Sequence, residues 1–592
     1  MTRTLFTSFL FFSLTLNLTA TPFAELIETE ADMVLTLRDI SEIRESWQDH
    51  PIAEILADDS LLAFFEPIIK STSADGEPGF TDVMKNDFGL TWEDLFELLP
   101  GQFSLAIYNM PELILKQDDN PDIAILAEFS SSEERLNELM QVQFERNAKA
   151  QEKFNPLIEH EMIEETFMGE TLYFDETFDG EKTYVEDGYA LVDGVFILAT
   201  PEDRMRTIVE AIKVGSDDSL ASNSAYQRAR EESGRGDFSI YLNFESLMPP
   251  LNQALQQKAV QSLAMFGVSA QGFNTALALE ELQALSFEFD LVDNGLMFYN
   301  SVVYREKAGL MKLMAYADGE LPKAPYVPEK IFSSAVTRFD PGAMLDSLEF
   351  ILSTASPGAM PLLDIHLQNF KNQSGLDMRA AILDNFDPEM VTLSLLPGDS
   401  QSASSMIEPE QLFVFSIKDS QALSDAVEIL KDMMPGARAQ IRTLEYEGET
   451  IHTIPGAEDP SVPDAPVMDV SFVVTRGHFI FSIGRVGLVQ QVLTAMQTQD
   501  SGFWQLPEIE ALFERIERPD AVARSYYDFG AIILPLLSSM VDASRYAQTG
   551  LAFDPNKIPS DLQLDWHFIT ETSEAPDGFY TRSIMLRKEV SQ

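Results

Sequence analysis

The 592-residue chain contains no cysteine. This excludes disulfides, thiol nucleophiles, iron–sulfur clusters, cysteine-based zinc sites and a lipid-modified N-terminal cysteine. A chain without such crosslinks must be held together by burial of its apolar side chains. Hydrophobic residues make up 45% of the sequence, which is enough apolar material for at least two domains.

Basic residues are also scarce. Lysine and arginine number 40 against 96 aspartates and glutamates, which gives a formal net charge of −56. Such a surface repels nucleic acid, anionic lipid and acidic polysaccharide at long range, so we expect no nucleic-acid partner. The carboxylates favour a solvated surface suited to salty surroundings over a cation-binding protein, because a cation site also requires ligand geometry.

Long apolar runs are missing after the first residues. The N-terminus, "MTRTLFTSFLFFSLTLNLTATPFAE", carries Arg3, then a mostly apolar run, then the small residues Thr19 and Ala20. This pattern is typical of a secretory signal peptide over residues 1–20, with Ala20 the last residue before cleavage. The alternative, an N-terminal anchor, would need an apolar run of about 20 residues. We therefore expect export, with no membrane span in the mature chain.

What the sequence does contain is an internal repeat. "FMGETLYF" (167–174) returns as "YEGETIHT" (446–453), and "MVLTLRDISEI" (33–43) returns as "SAVTRFDPGAM" (334–344). "YALVDGVFILATPEDRMRTIVEAI" aligns with "SFVVTRGHFIFSIGRVGLVQQVLTAM", which pairs Gly194 with Gly477. Because the matches keep the same order, the sequence predicts two duplicated tandem units, over residues 21–320 and 331–592. Residues 321–330, "LPKAPYVPEK", predict a stiff, exposed, proline-rich connector.

Each predicted unit mixes short-turn strands with helices. Residues 183–191 and 194–199 must pair antiparallel, because the turn between them is too short for a crossover. The regular strand–helix alternation of a doubly wound sheet is absent. The sequence therefore predicts an α+β fold, in which each unit has a mainly antiparallel sheet with helices packed on one face.

Several stretches also resemble a known family. They are "LRDISEIRESW", "LLPGQFSLAIY", "DGVFILATPED" and "SLASNSAYQRA" before "IYLNF", all in a chain with a signal peptide. Together they resemble an exported bacterial family described only as a domain of unknown function. The resemblance covers most of the mature chain and implies a bacterial, exported protein. It implies no catalytic residue, because the family has no established activity.

Two short stretches suggest metal sites. "HEMIEE" (160–165) begins like a metalloprotease helix, but Glu164 stands where the second zinc-binding histidine is needed. "DETFDGEKTYVE" (175–186) places Asp175, Asp179 and Glu186 at ligand positions of a calcium loop. The third position is Thr177, and the flanks predict strands where an EF-hand needs helices. We interpret these stretches as a strand and a hairpin loop.

Two further stretches suggest binding motifs. "SIGRVGLVQ" (482–490) has glycines between a strand and a helix, as a phosphate loop does, but no lysine follows. "GRGDF" (234–238) contains Arg-Gly-Asp, which we interpret as a turn with an ordinary charge pair. The sequence thus assigns no catalytic, cofactor-binding or metal-binding residue, and predicts no cofactor.

The sequence favours an exported acidic protein of the bacterial envelope or the medium that binds or scaffolds without catalysing a reaction. Its partner would be a protein or a glycan. The alternative is an envelope or secreted hydrolase with a carboxylate-based site between the two units. A polar cavity holding a carboxylate of strongly raised pKa would favour the enzyme, and a shallow groove lined by aromatic side chains would favour binding.

Overall fold

A computed structural model describes most of the chain. The described residues are 22–59, 61, 63–65, 85, 89–115, 122–152, 158–178, 181–263, 270–395, 410–433, 440–456, 469–484, 486–498, 501–531, 537, 540–541, 553–554, 557–558 and 565–588. The predicted signal peptide, residues 1–20, lies outside them. Contacts divide the chain into unit 1 (Met1–Arg44, Phe80–Leu247, Ala284–Ser286) and unit 2 (Glu45–Gly79, Met248–Gln283, Phe287–Gln592).

Helices and strands are mixed in both units, which confirms the predicted α+β class. The helices are α1 Ile40–Gln48, α2 Pro51–Leu56, α3 Trp92–Leu98, α4 Met110–Leu115, α5 Glu133–Glu152, α6 Glu202–Val214, α7 Ser224–Glu231, α8 Phe244–Leu263, α9 Ala270–Leu277, α10 Pro341–Ala355, α11 Ala359–Ser374, α12 Ser420–Met433, α13 Val486–Thr498 and α14 Pro507–Phe513.

Unit 1 contains an antiparallel sheet. Its strands are β1 Met33–Leu37, β2 Phe103–Ile107, β3 Ile123–Glu128, β4 Glu159–Phe167, β5 Glu170–Phe178, β6 Thr183–Val192, β7 Val195–Thr200 and β8 Phe238–Asn243. Hydrogen bonds join them in the order β4-β5-β6-β7-β3-β2-β1-β8. Helix α6 packs on β6 and β7, and its apolar side chains Met205, Ile208 and Val209 are fully buried.

Unit 2 also contains an antiparallel sheet. Its strands are β9 Leu282–Val292, β10 Gly295–Tyr304, β11 Ser333–Thr337, β12 Phe386–Leu395, β13 Glu410–Ile417, β14 Arg442–Tyr446, β15 Glu449–Ile454, β16 Val470–Thr475, β17 His478–Ile483, β18 Ala521–Asp528, β19 Trp566–Ala575 and β20 Gly578–Arg587. Eight of them join in the order β14-β15-β16-β17-β13-β12-β11-β18. This repeats the strand order of unit 1, and the sheet then continues through β19, β20, β10 and β9.

The strand registers correct one part of the sequence alignment. Met33 faces Ile107 and Leu242, while Ser333 faces Ser394 and Tyr527. The pairing therefore matches Met33 with Ser333, one residue earlier than the aligned Ser334. A shift of one residue moves a strand's side chains to the other face, so cross-strand partners define the correspondence more sharply than sequence similarity does.

The tight turns follow from the predicted glycines. Met168–Gly169, Asp193–Gly194 and Glu447–Gly448 each have two successive positive φ angles, and Gly477 has a φ of 85°. Two positive φ angles are the geometry of a type I′ hairpin turn, whose second position favours glycine. Strands β6 and β7 pair antiparallel across Asp193–Gly194, as the sequence predicted.

The hairpin β9–β10 does not belong where the sequence placed it. We predicted it as the end of the first unit, before a boundary at residue 320. Strand β10 instead pairs over most of its length with β20, near the C-terminus. The predicted boundary therefore falls inside unit 2, since nine register positions tie residues 295–303 to 578–586.

Residues 321–330 are not the exposed connector that the sequence predicted. Ala324, Tyr326 and Val327 are buried within the core of unit 2, and the Phe503 N–H donates to the Val327 carbonyl at 3.0 Å. Unit 1 has the same contact at its own N-terminus, where the Leu220 N–H donates to the Ile27 carbonyl at 2.7 Å. We call residues 22–27 and 322–327 the closing segments of their units.

His567, a partly buried residue on β19, should make the fold of unit 2 sensitive to acid. Burial lowers the pKa of His567 to about 4, and the Tyr526 hydroxyl lies 3.0 Å from its Nδ1. An unfolded histidine has a pKa of about 6.5, so folding favours the neutral ring, and this stability is lost as the pH falls from 6.5 through 4.

We expect the loss to be about 1–2 kcal/mol after allowing for solvent screening. Urea unfolding of His567→Gln should remove this part of the pH dependence, with the exposed His366→Gln as the matched control. Equal pH profiles for wild type and His567→Gln would contradict the assignment.

Among the described residues, no helix is both long enough and apolar enough to cross a bilayer.

Candidate functional site

Each unit has a cleft beside its closing segment. The first cleft, in unit 1, has a volume of about 980 Å³. Its walls are Phe23, Glu25, Leu26, Pro100, Glu128, Phe129, Ser130, Asp193, Gly194, Val195, Ala211, Ile212, Gly215, Ser216, Ser219, Ala221 and Ser222. Apolar side chains and serines dominate this surface, and its three ionisable side chains are carboxylates.

The second cleft, in unit 2, has a volume of about 610 Å³. Its walls are Glu320, Leu321, Pro322, Lys323, Ala324, Pro325, Tyr326, Glu389, Ser416, Glu449, Thr475, Arg476, His478, Leu493, Met496 and Gln497. This surface is more polar than that of the first cleft, because charged groups of both signs line it.

Corresponding parts of the two units bound the two clefts. Each cleft lies between a closing segment, the turn of one hairpin (β6–β7 or β16–β17), the C-terminal end of the helix that follows (α6 or α13), and the last residues of one strand (β3 or β13). The same architecture thus forms a cavity twice, within the 300–1,000 Å³ or so that is usual for small-molecule sites.

An ion-pair cluster lies at the β6–β7 turn of unit 1. Lys213 at the end of α6 places its Nζ 2.5 Å from Glu170 Oε1 and 2.9 Å from Asp193 Oδ2. One cation therefore bridges two carboxylates, and the hydrogen bonds to Glu170 and Asp193 raise the pKa of Lys213.

The corresponding residues of unit 2 differ in charge. The hairpin turns match Glu170 with Glu449 and Asp193 with Arg476, and the buried faces of the equally long helices α6 and α13 match Lys213 with Gln497. All three residues of unit 2 line the second cleft. Unit 2 therefore has the carboxylate of Glu449 but no cation in the place of Lys213. Burial raises the pKa of Glu449.

An aromatic pair forms another wall of the second cleft. The His478 and Tyr326 rings meet edge to face, with centroids 5.8 Å apart. Burial lowers the pKa of His478, which makes the ring neutral at physiological pH. A neutral imidazole beside a phenol offers an apolar surface with two polar edges.

Ser416 and His478 are cross-strand neighbours, but their hydrogen bonds are not those of a catalytic triad. The Ser416 hydroxyl donates to Glu389 Oε2 at 3.1 Å, and Glu389 Oε1 accepts from Arg338 at 3.1 Å. A triad requires the histidine between the hydroxyl and the acid, where it can take the hydroxyl proton. Here the carboxylate contacts the hydroxyl directly and is already neutralised by an arginine.

The structure brings together residues from the two stretches that resemble metal-binding motifs. His160 lies on β4 and not on a helix, and its Nδ1 is 3.1 Å from Asp175 Oδ1 and 3.0 Å from Thr177 Oγ1 on β5. The stretch 175–186 forms parts of β5 and β6, with residues 179–180 outside the described part. Within the described residues, no cluster of three or more histidines and carboxylates is arranged to hold a metal.

The other two motifs have structural roles. Asp237 of the Arg-Gly-Asp stretch is buried and bonded to Arg38 at 3.0 Å and to Arg235 at 2.9 Å. This confirms an ordinary charge pair in place of a displayed adhesive sequence. In "SIGRVGLVQ", the Gly484 N–H donates to the Asp469 carbonyl at 2.8 Å, between β17 and α13.

The sequence did not predict the second cleft, although the alignment contained evidence of it. The alignment pairs Gly194 with Gly477 and therefore Asp193 with Arg476, a position at which the charge changes sign. Such a change at a matched position indicates that the two surfaces differ in charge.

Known proteins add little to this description. No protein-family model matches the chain, and no curated protein matches it. Among solved structures, crystal form III of TP0453 is 14% identical, with a TM-score of 0.22, over 46% of this chain and 83% of TP0453. Crystal form IV gives 14% identity and a TM-score of 0.23 over 45% and 81%. These scores are too low to carry an argument about fold or function.

Proposed function

We propose that this chain is an exported bacterial protein of two duplicated units that binds a ligand or partner in the envelope or the medium without catalysing a reaction. The observation that carries the proposal is the repeated cleft. The same four structural parts bound a cavity in each unit, whereas the side chains around it differ. Retained cavities with changed linings favour binding of different ligands by the two units.

The acidic composition supports an exported role without nucleic acid. A net charge of −56 repels polyanions and keeps the protein dispersed in salty surroundings. The hydrogen bonds in the second cleft support binding over hydrolysis, because Ser416 is held by a carboxylate that Arg338 neutralises.

Export predicts a processed N-terminus. We expect the mature protein to begin at or near Thr21, because small residues at positions 19 and 20 end the apolar run. Edman sequencing or intact-mass measurement of protein from the envelope fraction and the medium checks this. Recovery of a membrane-bound chain that retains Met1 would contradict it.

Binding can be tested by native mass spectrometry. The mature chain is incubated with a small-molecule extract of the bacterial envelope, beside two variants that fill one cleft each, Ser216→Trp and Gln497→Trp. Both positions are exposed and line their clefts, so the fold should tolerate the larger side chain. We expect a bound mass that one variant loses and the other keeps. No bound mass, or one that both variants retain, would contradict the proposal.

A further inference from the structure

We propose that the second cleft binds a small zwitterion, a molecule of amino-acid or dipeptide size that carries an ammonium group and a carboxylate. This inference rests on the proposed binding function and names its ligand class for unit 2. Four residues carry it: Glu449, Arg476, Gln497 and Lys323, all of which line the same cleft of about 610 Å³.

Glu449 supplies the site for the ammonium group. In unit 1, the aligned Glu170 is neutralised by the Nζ of Lys213 at 2.5 Å, so the protein itself shows the interaction that this position makes. In unit 2, the residue that matches Lys213 is the uncharged Gln497, which donates to the Glu447 carbonyl at 2.9 Å, and the carboxylate of Glu449 lines an open cleft. Burying a carboxylate without a cation is unfavourable, so an incoming ammonium group that takes the place of Lys213 is stabilised.

Arg476 and Lys323 supply the site for the carboxylate. Arg476 follows β16 in the turn where unit 1 has Asp193, and Lys323 lies in the closing segment. Both are exposed, and within the described residues neither side chain forms an ion pair. Both cations line the same cleft as the carboxylate of Glu449, so the cleft presents charges of both signs.

The charge of the whole protein disfavours a ligand that carries charge of only one sign. A free anion would be repelled at long range by the net charge of −56, although the two cations attract it nearby. A simple cation would bind many surface carboxylates and would leave Arg476 and Lys323 unused. A zwitterion carries no net charge and can pair with both the carboxylate and the cations that line the cleft. The His478–Tyr326 pair lines the same cleft and offers an apolar surface for its side chain.

The test is isothermal titration of the mature chain with alanyl-phenylalanine. Its N-acetyl and C-amide forms each lack one charge and serve as matched ligands. We expect the free dipeptide to bind with a Kd below about 1 mM, and each blocked form to bind at least tenfold more weakly. Failure of the free dipeptide and of free phenylalanine to bind at that level would overturn the proposal.

Variants assign the two ends of the ligand. Glu449→Gln should weaken binding of the free dipeptide at least tenfold but leave the weak binding of the N-acetyl form unchanged. Arg476→Gln should do the same for the free dipeptide and the C-amide form. Glu170→Gln, at the aligned position of unit 1, is the control and should leave binding unchanged. Circular dichroism of each variant confirms that it folds.

The zwitterion proposal can fail without the failure of the proposed binding function. A bound mass in the native mass spectrum that Gln497→Trp removes, but that is no zwitterion, would overturn the ligand class and leave the binding function intact. Equal loss of dipeptide binding in Glu170→Gln and Glu449→Gln would also overturn the assignment to the second cleft.

Discussion

Replacing Gly502 with alanine should lower the free energy of unfolding of unit 2 by about 3 kcal/mol, near the upper end of the range for overpacking a core. A Cβ at this position would lie 2.3 Å from the Pro325 carbonyl oxygen and 2.5 Å from that of Val327. Both contacts are with the backbone of the closing segment, which cannot rotate away as a side chain can. The segment must shift, and the Phe503–Val327 hydrogen bond is weakened.

Gly487→Ala is the matched control, because the same substitution should have the opposite sign there. Gly487 lies in α13, and an added Cβ would meet nothing within 4 Å. Alanine in a helix is favoured over glycine by about 0.5–1 kcal/mol. Denaturant unfolding of both variants checks the prediction. Equal effects at the two positions would show that residues 322–327 do not pack against Gly502.

Replacing Arg204 with methionine should lower the free energy of unfolding of unit 1 by about 3–5 kcal/mol at pH 7, the usual cost of breaking a buried ion pair. The Arg204 side chain is only 9% exposed. It donates to Asp122 at 2.9 and 3.1 Å and to Glu30 at 3.2 Å, and it also contacts Glu28. Its guanidinium carbon lies 3.5 Å from the Tyr108 ring centroid. Methionine would leave these carboxylates without their shared cation.

The loss should be smaller in acid. Burial and the charges of Glu30 and Asp32 raise the pKa of Asp122 to about 6, and removal of the guanidinium raises it further. A carboxyl group with a raised pKa in the folded state stabilises the fold below its unfolded pKa and loses that contribution as the pH rises. The Arg204→Met variant should therefore recover part of its stability between pH 7 and pH 5.

Arg206→Met on the same helix is the matched control. Arg206 pairs with Glu165 at 2.7 Å and with Glu202 at 3.1 Å, but these groups are more exposed. Exposed ion pairs contribute at most about 1 kcal/mol, so this variant should change little. Similar losses for the two arginine variants, or a loss for Arg204→Met that does not depend on pH, would contradict the buried cluster.

The sequence predicted the parts of the fold that depend on neighbouring residues. The hairpin turns at Gly169, Gly194 and Gly448 follow from the positive φ angles that a two-residue turn needs. The class of fold followed from short turns between strands. These features are local, so a repeat of a few residues was enough to locate them in both units.

The parts that failed depend on contacts between distant residues. Nothing near residues 295–304 indicates that β10 will pair with β20, because the edge of a strand offers the same backbone N–H and C=O groups to any partner strand. The proline-rich stretch 321–330 has the composition of a linker, yet Tyr326 and Val327 are buried against residues more than 150 positions away. Composition cannot distinguish an exposed extended segment from one that a core has covered.

The candidate site could be predicted from the sequence only in part. The residues of the second cleft come from six separate stretches of unit 2, so their proximity could not be inferred from the sequence. The exchange of Asp193 for Arg476 is nevertheless visible in the alignment. A comparison of charges between the aligned stretches is therefore enough to single out Arg476, although it does not show that this residue lines a cleft.

The most direct test of the closing segments is hydrogen–deuterium exchange of the protein under native conditions. If each unit is closed by its own N-terminal segment, the amides of Leu220 and Phe503 should exchange slowly and to a similar degree, because each donates to the closing segment of its unit. Gly502→Ala should speed exchange at Phe503 and leave Leu220 unchanged. Rapid exchange at Phe503 in the wild-type chain, with residues 322–327 as unprotected as a linker, would contradict the claim that both units are built in this way.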